Sequence, residues 1–338
     1  MIQVIFHIGM GKTGTTSIQS ALSKSTKELK HADCRYVGTS IEDLGHDIGN
    51  PYIFSDFLTQ PQGKYPELAK QFAAALNLVH TKDGTTRFII SNESYFTRIK
   101  TLSPFFISLA DFVNLSVVVY ARPVGSWLPS ACSQWGNLHK TNAGPIRSLP
   151  QIASRLIRQY SSLSDWRNAL GDVVNVRQYH QKKNIVEDFS LATNVPLHFA
   201  DQKRNIRRRQ SELILRAAFN NQFEGKTTPR EFSKVFRIQS PGHLPTSLSD
   251  KFRFLFDYDQ LSVVIEKYTD QIRRIEKEFD LDLLSTPISN PPNYDQNGLV
   301  NEIIGELIDI TSRQSIQIDD LLKRIEKLEK GKAGDKLR

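Results

Sequence analysis

Residues 7–19 read His-Ile-Gly-Met-Gly-Lys-Thr-Gly-Thr-Thr-Ser-Ile-Gln. The apolar run Val4, Ile5 and Phe6 precedes them, and Ile18, Ala21 and Leu22 follow at helical spacing, which predicts a strand–loop–helix turn. A glycine-rich turn entering a helix aims several backbone N–H groups into one concavity, and the helix dipole adds positive potential there. Such a place attracts anions. Gly9, Gly11 and Gly14 let the backbone come close to a ligand, Lys12 brings a mobile charge, and Thr13, Thr15, Thr16 and Ser17 bring hydroxyl groups.

The nucleoside-triphosphate phosphate loop reads G-x-x-x-x-G-K-[ST]. Gly9 and Gly14 have that separation, but Thr15 stands where the motif needs lysine, and Lys12 lies two residues before Gly14 instead. With the lysine displaced in this way, the stretch from Gly11 to Gln19 resembles the 5′-phosphosulfate loop of sulfotransferases, the bacterial members above all. Those enzymes use 3′-phosphoadenosine 5′-phosphosulfate (PAPS) as donor. The plain alternative is a Gly/Thr-rich turn that binds nothing.

A second segment carries the same resemblance. Leu115 to Tyr120 is a short β-branched run of the kind that forms a buried parallel strand; Arg122 follows it, and Pro123 permits a turn into a helix. Ser130 comes eight residues after Arg122. In sulfotransferases an arginine at a strand end and a serine eight residues later hold the donor's 3′-phosphate. A guanidinium fork and a hydroxyl suit phosphate oxygens. The resemblance covers roughly residues 1–280 and is sharp only at these two motifs. It implies an α/β fold of three layers, α/β/α, around a parallel sheet, related to nucleotide kinases. It also implies PAPS as donor, 3′-phosphoadenosine 5′-phosphate (PAP) as product, and no required metal.

Sulfuryl transfer is an in-line displacement that depends on positioning and on stabilising charge at the leaving and equatorial oxygens. By resemblance, Lys12 serves the bridging oxygen, and the N–H and hydroxyl groups of Gly11 to Ser17 cradle the 5′-phosphate. A base must take the acceptor's proton. Glu93, in Ser91-Asn92-Glu93-Ser94, follows an apolar strand at the end where open α/β sheets keep their sites. His7, His46 and His139 are its rivals. No Cys/His cluster has metal-ligand spacing.

The chain has 338 residues, a net charge of +8 and two cysteines, Cys34 and Cys132. This is a globular composition without a disulfide framework, and with no run long enough to span a membrane. The first strand begins too early for a signal peptide, so a cytoplasmic bacterial enzyme is expected. Much of the excess charge sits in residues 203–209. No aromatic platform accompanies it, so an anionic donor, a glycan acceptor or a solvated basic face explains it better than nucleic acid does.

Strands are expected at 2–8, 34–38, 87–91, 115–121 and 173–178. Helices are expected at 14–24, 66–79, 124–137, 151–170, 210–220 and near 248–278, with 39–65 a long loop or lid over the acceptor. A catalytic domain is expected at 1–284, a Pro/Asn/Ser-rich linker at 285–297, an amphipathic or coiled-coil helix at 298–330 and a charged tail at 331–338. Ile304, Leu307, Thr311, Gln314, Ile318, Leu321, Ile325 and Leu328 alternate in steps of three and four. They join subunits into a homo-oligomer, or else lay one amphipathic helix on its own domain. Three functions follow: a sulfotransferase acting on a hydroxyl or amine, with a glycan or glycoconjugate as the expected acceptor; a phosphate-loop kinase using ATP; or a coiled-coil scaffold with a nucleotide-binding fold.

Overall fold

Five apolar stretches become five parallel strands: β1 (Gln3–His7), β2 (Cys34–Gly38), β3 (Arg87–Ser91), β4 (Asn114–Ala121) and β5 (Val174–Gln178). They form one sheet in the order β2-β3-β1-β4-β5, and they are the five stretches read as strands from the sequence. The computed structural model describes residues 1–50, 52–198, 210–221, 223–235 and 255–289, and separate positions between 303 and 325. The basic cluster at 203–209, most of the linker and the charged tail lie outside the described residues.

The strand order sends the chain from β1 in one direction to β2, then in the opposite direction to β3, β4 and β5. Right-handed crossovers then place the connecting helices on opposite faces of the sheet. The contacts agree. On one face, α1 (Thr15–Lys24) packs beside α9 (Ile185–Thr193), and Ile18, Leu22, Val186 and Phe189 cover Ile5, Ile89 and Val118. On the other, α4 (Tyr65–Asp83) packs on α5 (Ile99–Ala110), and α5 on α8 (Ser161–Leu170). There Phe6 sits edge-on to Phe106, ring centres 4.9 Å apart, with Phe72, Phe105 and Tyr95 around it.

The structure differs from the sequence reading where proline or short helices intervene. Pro104 argues against a helix at 99–110, yet α5 forms there. A proline at this position cannot donate to the carbonyl of Lys100, and Gln62 Nε2 donates to that carbonyl instead, at 2.8 Å. The single helix expected at 124–137 is α6 (Val124–Cys132), which contains Pro129, followed by a π-helical turn at Ser133–Leu138. The one expected at 151–170 is α7 (Leu149–Ile157) and α8, joined by a 3-10 turn at Arg158–Tyr160. Near 248–278 the described helix is α12 (Asp259–Phe279); residues 248–254 lie outside the description. Helices α2 (Thr26–His31), α10 (Gln210–Asn220) and α11 (Pro229–Val235) are also described, of which α10 is expected from the sequence. The stretch 39–65 is not structureless. It holds α3 (Asp43–Asp47) and two 3-10 turns, and it buries Phe54 and Phe57.

Two compact units result. The first comprises Met1–Ala131, Ala153–Asn205 and Leu261–Ser289 and holds the whole sheet. The second comprises Cys132–Ile152, Ile206–Gln260 and Asn290–Arg338. Its core gathers Ile146, Ile214, Ala217, Leu255 and Ile303. Beside it the buried Lys140 Nζ donates to the carbonyls of Asn220 (3.1 Å) and Phe223, so its cation sits at the negative end of α10.

In the first unit Arg177 on β5 forms a two-pronged bond with Asp188 on α9, at 2.7 and 2.8 Å, and the Tyr120 hydroxyl of β4 donates to the same carboxylate at 2.7 Å. Burial opposes ionisation of Asp188, but these donors prevail and hold its carboxyl below the usual range. Asp188→Asn removes the charge that matches the guanidinium fork, and is expected to cost about 1.5–3 kcal/mol in urea unfolding. A loss below 0.5 kcal/mol would show that solvent replaces the pair.

Candidate functional site

The stretch 8–14 leaves the carboxyl end of β1, at the centre of the sheet, and is stitched to both neighbouring strands. Ile8 N donates to Val118 O (3.0 Å), Met10 N to Tyr120 O (3.1 Å) and Tyr120 N to Gly9 O (2.7 Å). On the β3 side, Asn92 N donates to His7 O (2.8 Å), and Gln19 Nε2 reaches back from α1 to Ser91 O (2.8 Å). The Thr13 hydroxyl donates to the carbonyl of Met10 across the loop.

Two glycines are demanded by this path. Gly9 has φ +99°, and a β-carbon on it would lie 3.0 Å from Cβ of Glu93. Gly14, the residue before α1, has φ +88°, and a β-carbon there would lie 3.0 Å from Ile185 at the start of α9. Lys12 also adopts a left-handed conformation, φ 67°. Left-handed residues alternating with ordinary ones turn successive N–H groups toward one side, the geometry of an anion nest. Ser17 and Ile18 N–H are taken by Gly14 O, whereas those of Thr13, Gly14, Thr15 and Thr16 donate to no other backbone group among the described residues. The Thr15 hydroxyl is buried without a hydrogen-bond partner.

Arg122 is brought to this loop from the end of β4. Its Nη1 donates to Lys12 O at 3.0 Å, its Nε to Ser126 Oγ at 3.0 Å, and its guanidinium lies 5.4 Å from the ring centre of Tyr179. Burial pulls its pKa below the usual guanidinium value. Trp127 Nε1 donates to Gly11 O at 2.9 Å, and the Tyr160 hydroxyl donates to the carbonyl of Arg122. The two sequence motifs, about 110 residues apart, thus meet through two side-chain bonds, from Arg122 and Trp127 to the carbonyls of Lys12 and Gly11, besides the three backbone bonds given above. Ser130 is half-buried one helical turn beyond Ser126 on the same face of α6. Ser126, Trp127, Tyr160 and Tyr179 were not singled out from the sequence. For Ser126 and Trp127 the signal was present, four and five residues after Arg122. Tyr160 and Tyr179 had no local signal.

Glu93 opens a 3-10 turn at Glu93–Arg98 after β3 and is exposed. Asn92 sets this turn: its Oδ1 accepts from Ser94 N (2.9 Å), and its Nδ2 donates to Thr39 O (2.5 Å). Tyr36 on β2 stands near enough that Asp43 and Glu93 add to the effect of burial, and its hydroxyl is pushed up to about 12. It stays a neutral donor at physiological pH.

Of the rival bases, His7 is fully buried, bonded through Nδ1 to Ser91 Oγ (2.8 Å) and edged by Tyr120 and Phe189. His46 is exposed on α3, and His139 belongs to the second unit.

A cavity of about 220 Å³ adjoins Arg122 at the carboxyl ends of β4 and β5, lined by Ser126, Tyr179 and His180 among others. A wider one of about 860 Å³ lies at the opposite ends of the strands, beside Gln3, Asn114 and Val174. Open α/β sheets bind ligands at the carboxyl ends, where the smaller cavity and the loop both are. Among the described residues no group of His, Cys, Asp and Glu has the arrangement of a metal site. Nor is any described helix long and apolar enough to cross a membrane. The chain matches no protein-family model, and no curated protein matches it.

Burial lowers the His7 pKa from 6.5 to about 3, so the fold holds it neutral while the unfolded chain takes up a proton below pH 6.5. The unfolded state then binds more protons, and stability must fall as the pH drops from 6.5 toward 3, by about 1.4 kcal/mol per unit from this group. His7→Gln cannot titrate. Its stability, measured by urea unfolding at pH 6, 5 and 4, is expected to show a slope shallower by about that amount. Parallel slopes for both proteins would contradict this assignment.

Proposed function

We propose that the chain is a PAPS-dependent sulfotransferase, with the three-layer α/β/α fold of that superfamily and of the phosphate-loop kinases. The observation that carries the proposal is the bond from Arg122 to the Lys12 carbonyl. It joins an anion nest at the end of β1 to a guanidinium at the end of β4. A ligand with two separated anionic groups fits such a pair, and PAPS has its phosphosulfate and its 3′-phosphate.

In this reading the nest of residues 11–17 holds the 5′-phosphosulfate, and Arg122, with Ser130 and its neighbour Ser126, holds the 3′-phosphate. The acceptor oxygen bonds to sulfur as the bond from sulfur to the 5′-phosphate oxygen breaks. The electron pair leaves with PAP, Lys12 neutralises the charge on that oxygen, and the Glu93 carboxylate takes the acceptor's proton. The acceptor is a hydroxyl or amine, with a glycan or glycoconjugate favoured. The chain's two cysteines, both buried and too few for a disulfide framework, suit a reducing, cytoplasmic setting.

One observation favours a kinase instead. Glu93 follows an apolar strand next to β1, where a carboxylate is also able to hold the magnesium of a nucleoside triphosphate. Calorimetry separates the two: magnesium-independent binding of PAP supports the sulfotransferase, preference for Mg-ATP the kinase, and no binding of either nucleotide the scaffold.

Substitutions divide the roles. Lys12→Ala is expected to lower kcat at least 100-fold, on the order of 3 kcal/mol of transition-state stabilisation, with little loss of PAP affinity. Arg122→Ala raises the donor KM most, with a smaller fall in kcat because it also releases the Lys12 carbonyl. Glu93→Gln abolishes transfer and leaves PAP binding intact. If the Glu93→Gln enzyme turns over normally, the base is another residue.

A further inference from the structure

The helical positions described between 303 and 325 present two different faces. Ile303, Glu306 and Ile310 are buried, Ile303 within the core of the second unit. Ile304, Leu307, Ile318, Leu321 and Ile325 are 39–57% exposed. These are the positions of the three-four repeat. Each residue advances about 100° around a helix, so the stripe 303, 306, 310 is turned by about that angle from the stripe 304, 307, 311. Over 303–310 one stripe therefore packs on its own unit, whereas Gln317 and Arg324, which continue that stripe, are exposed along with the repeat positions Ile318, Leu321 and Ile325.

The residue types along the outward seam say what covers it. Taking Ile304 as position a, the a residues are Ile304, Thr311, Ile318 and Ile325, all β-branched, and the d residues are Leu307, Gln314, Leu321 and Leu328. β-Branched a with leucine at d packs best as two parallel strands, because of the angles at which side chains enter the opposing holes. The central layers, Thr311 and Gln314, are polar. Thr311 Oγ1 donates to Leu307 O at 2.8 Å within its own helix, so it can enter a seam without an unpaired donor. A polar layer fixes register at some cost in stability. Arg324 and Glu329 occupy g and e five residues apart, the spacing that brings opposite charges together across parallel strands. Leu328 and Glu329 enter by sequence position alone. We infer that this seam binds a second copy of the same chain as a parallel two-stranded coiled coil, whatever reaction the first unit catalyses.

Sedimentation equilibrium of the full chain is expected to give twice the 38.5 kDa chain mass at micromolar concentration. Ile318→Asn with Leu321→Asn alters exposed positions, so far-UV circular dichroism stays unchanged while the dimer dissociation constant rises at least about a hundredfold. A second set keeps the seam apolar: leucine in place of Ile318 and Ile325, isoleucine in place of Leu321 and Leu328. It is expected to shift the assembly to trimers or tetramers. Leu321→Cys reports orientation. Equivalent d residues face each other in parallel strands, and Cys34 and Cys132 are buried, so mild oxidation gives a disulfide-linked dimer on a non-reducing gel. A monomer at every concentration, a dimer indifferent to the asparagine pair and to the leucine–isoleucine exchange, or no cross-link through Leu321→Cys would each overturn the inference.

Discussion

A guanidinium cannot be set into the edge of a protein core without partners, and the way Arg122 finds them organises the first unit. One of its nitrogens holds the Lys12 carbonyl, another the Ser126 hydroxyl, and its flat face rests against Tyr179. Its own carbonyl accepts from Tyr160, whose ring packs edge-on against Trp127 at 5.2 Å, and Trp127 in turn holds Gly11. The glycine-rich stretch has few side chains with which to fix its own shape. Bonds to its carbonyls, from groups projecting off β4 and α6, give it one shape while leaving N–H groups directed elsewhere. The N–H groups of Thr13 to Thr16 donate to no described backbone group, so an anion bound there would meet a loop already in shape and lose little ordering entropy.

The opposite wall follows the same logic with a carboxylate. Glu93 has no bulky neighbour at Gly9 because that residue has no side chain, and Asn92 locks the turn from both sides. Beneath it, His7 and Ser91 pair side by side at the ends of β1 and β3. That imidazole is fully buried, whereas Glu93 and His46 of the other candidate bases are exposed.

What was legible in the chain had a local cause. The five strands are apolar runs with sharp ends, and α1 starts at a glycine followed by hydroxyl residues, so their limits are visible residue by residue. Helix α5 was not legible, because Pro104 argues against it and the repair comes from Gln62, 38 residues away in sequence. The breaks within 124–137 and 151–170 depend on tertiary packing that no periodicity records. At the site, Lys12, Arg122 and Glu93 were named because each has an unusual neighbour sequence. Tyr160 and Tyr179 look like any core aromatics until the fold sets them against Arg122.

The stretch 39–65 is tied into the protein more firmly than its composition implies. Thr39 is held by Asn92, Gln62 by the Lys100 carbonyl, and between them Phe54 and Phe57 lie 1% exposed among Phe72, Phe105 and Tyr65. Swinging this segment out as one body would wet two phenylalanines, about 3–6 kcal/mol. Such a state is then populated in fewer than about one molecule in a hundred. The neighbourhood of Gly49, Asn50 and the 82% exposed Tyr52 carries no such cost. Opening of this segment is therefore confined to single exposed side chains such as that of Tyr52, while Phe54 and Phe57 keep its body a fixed part of the first unit.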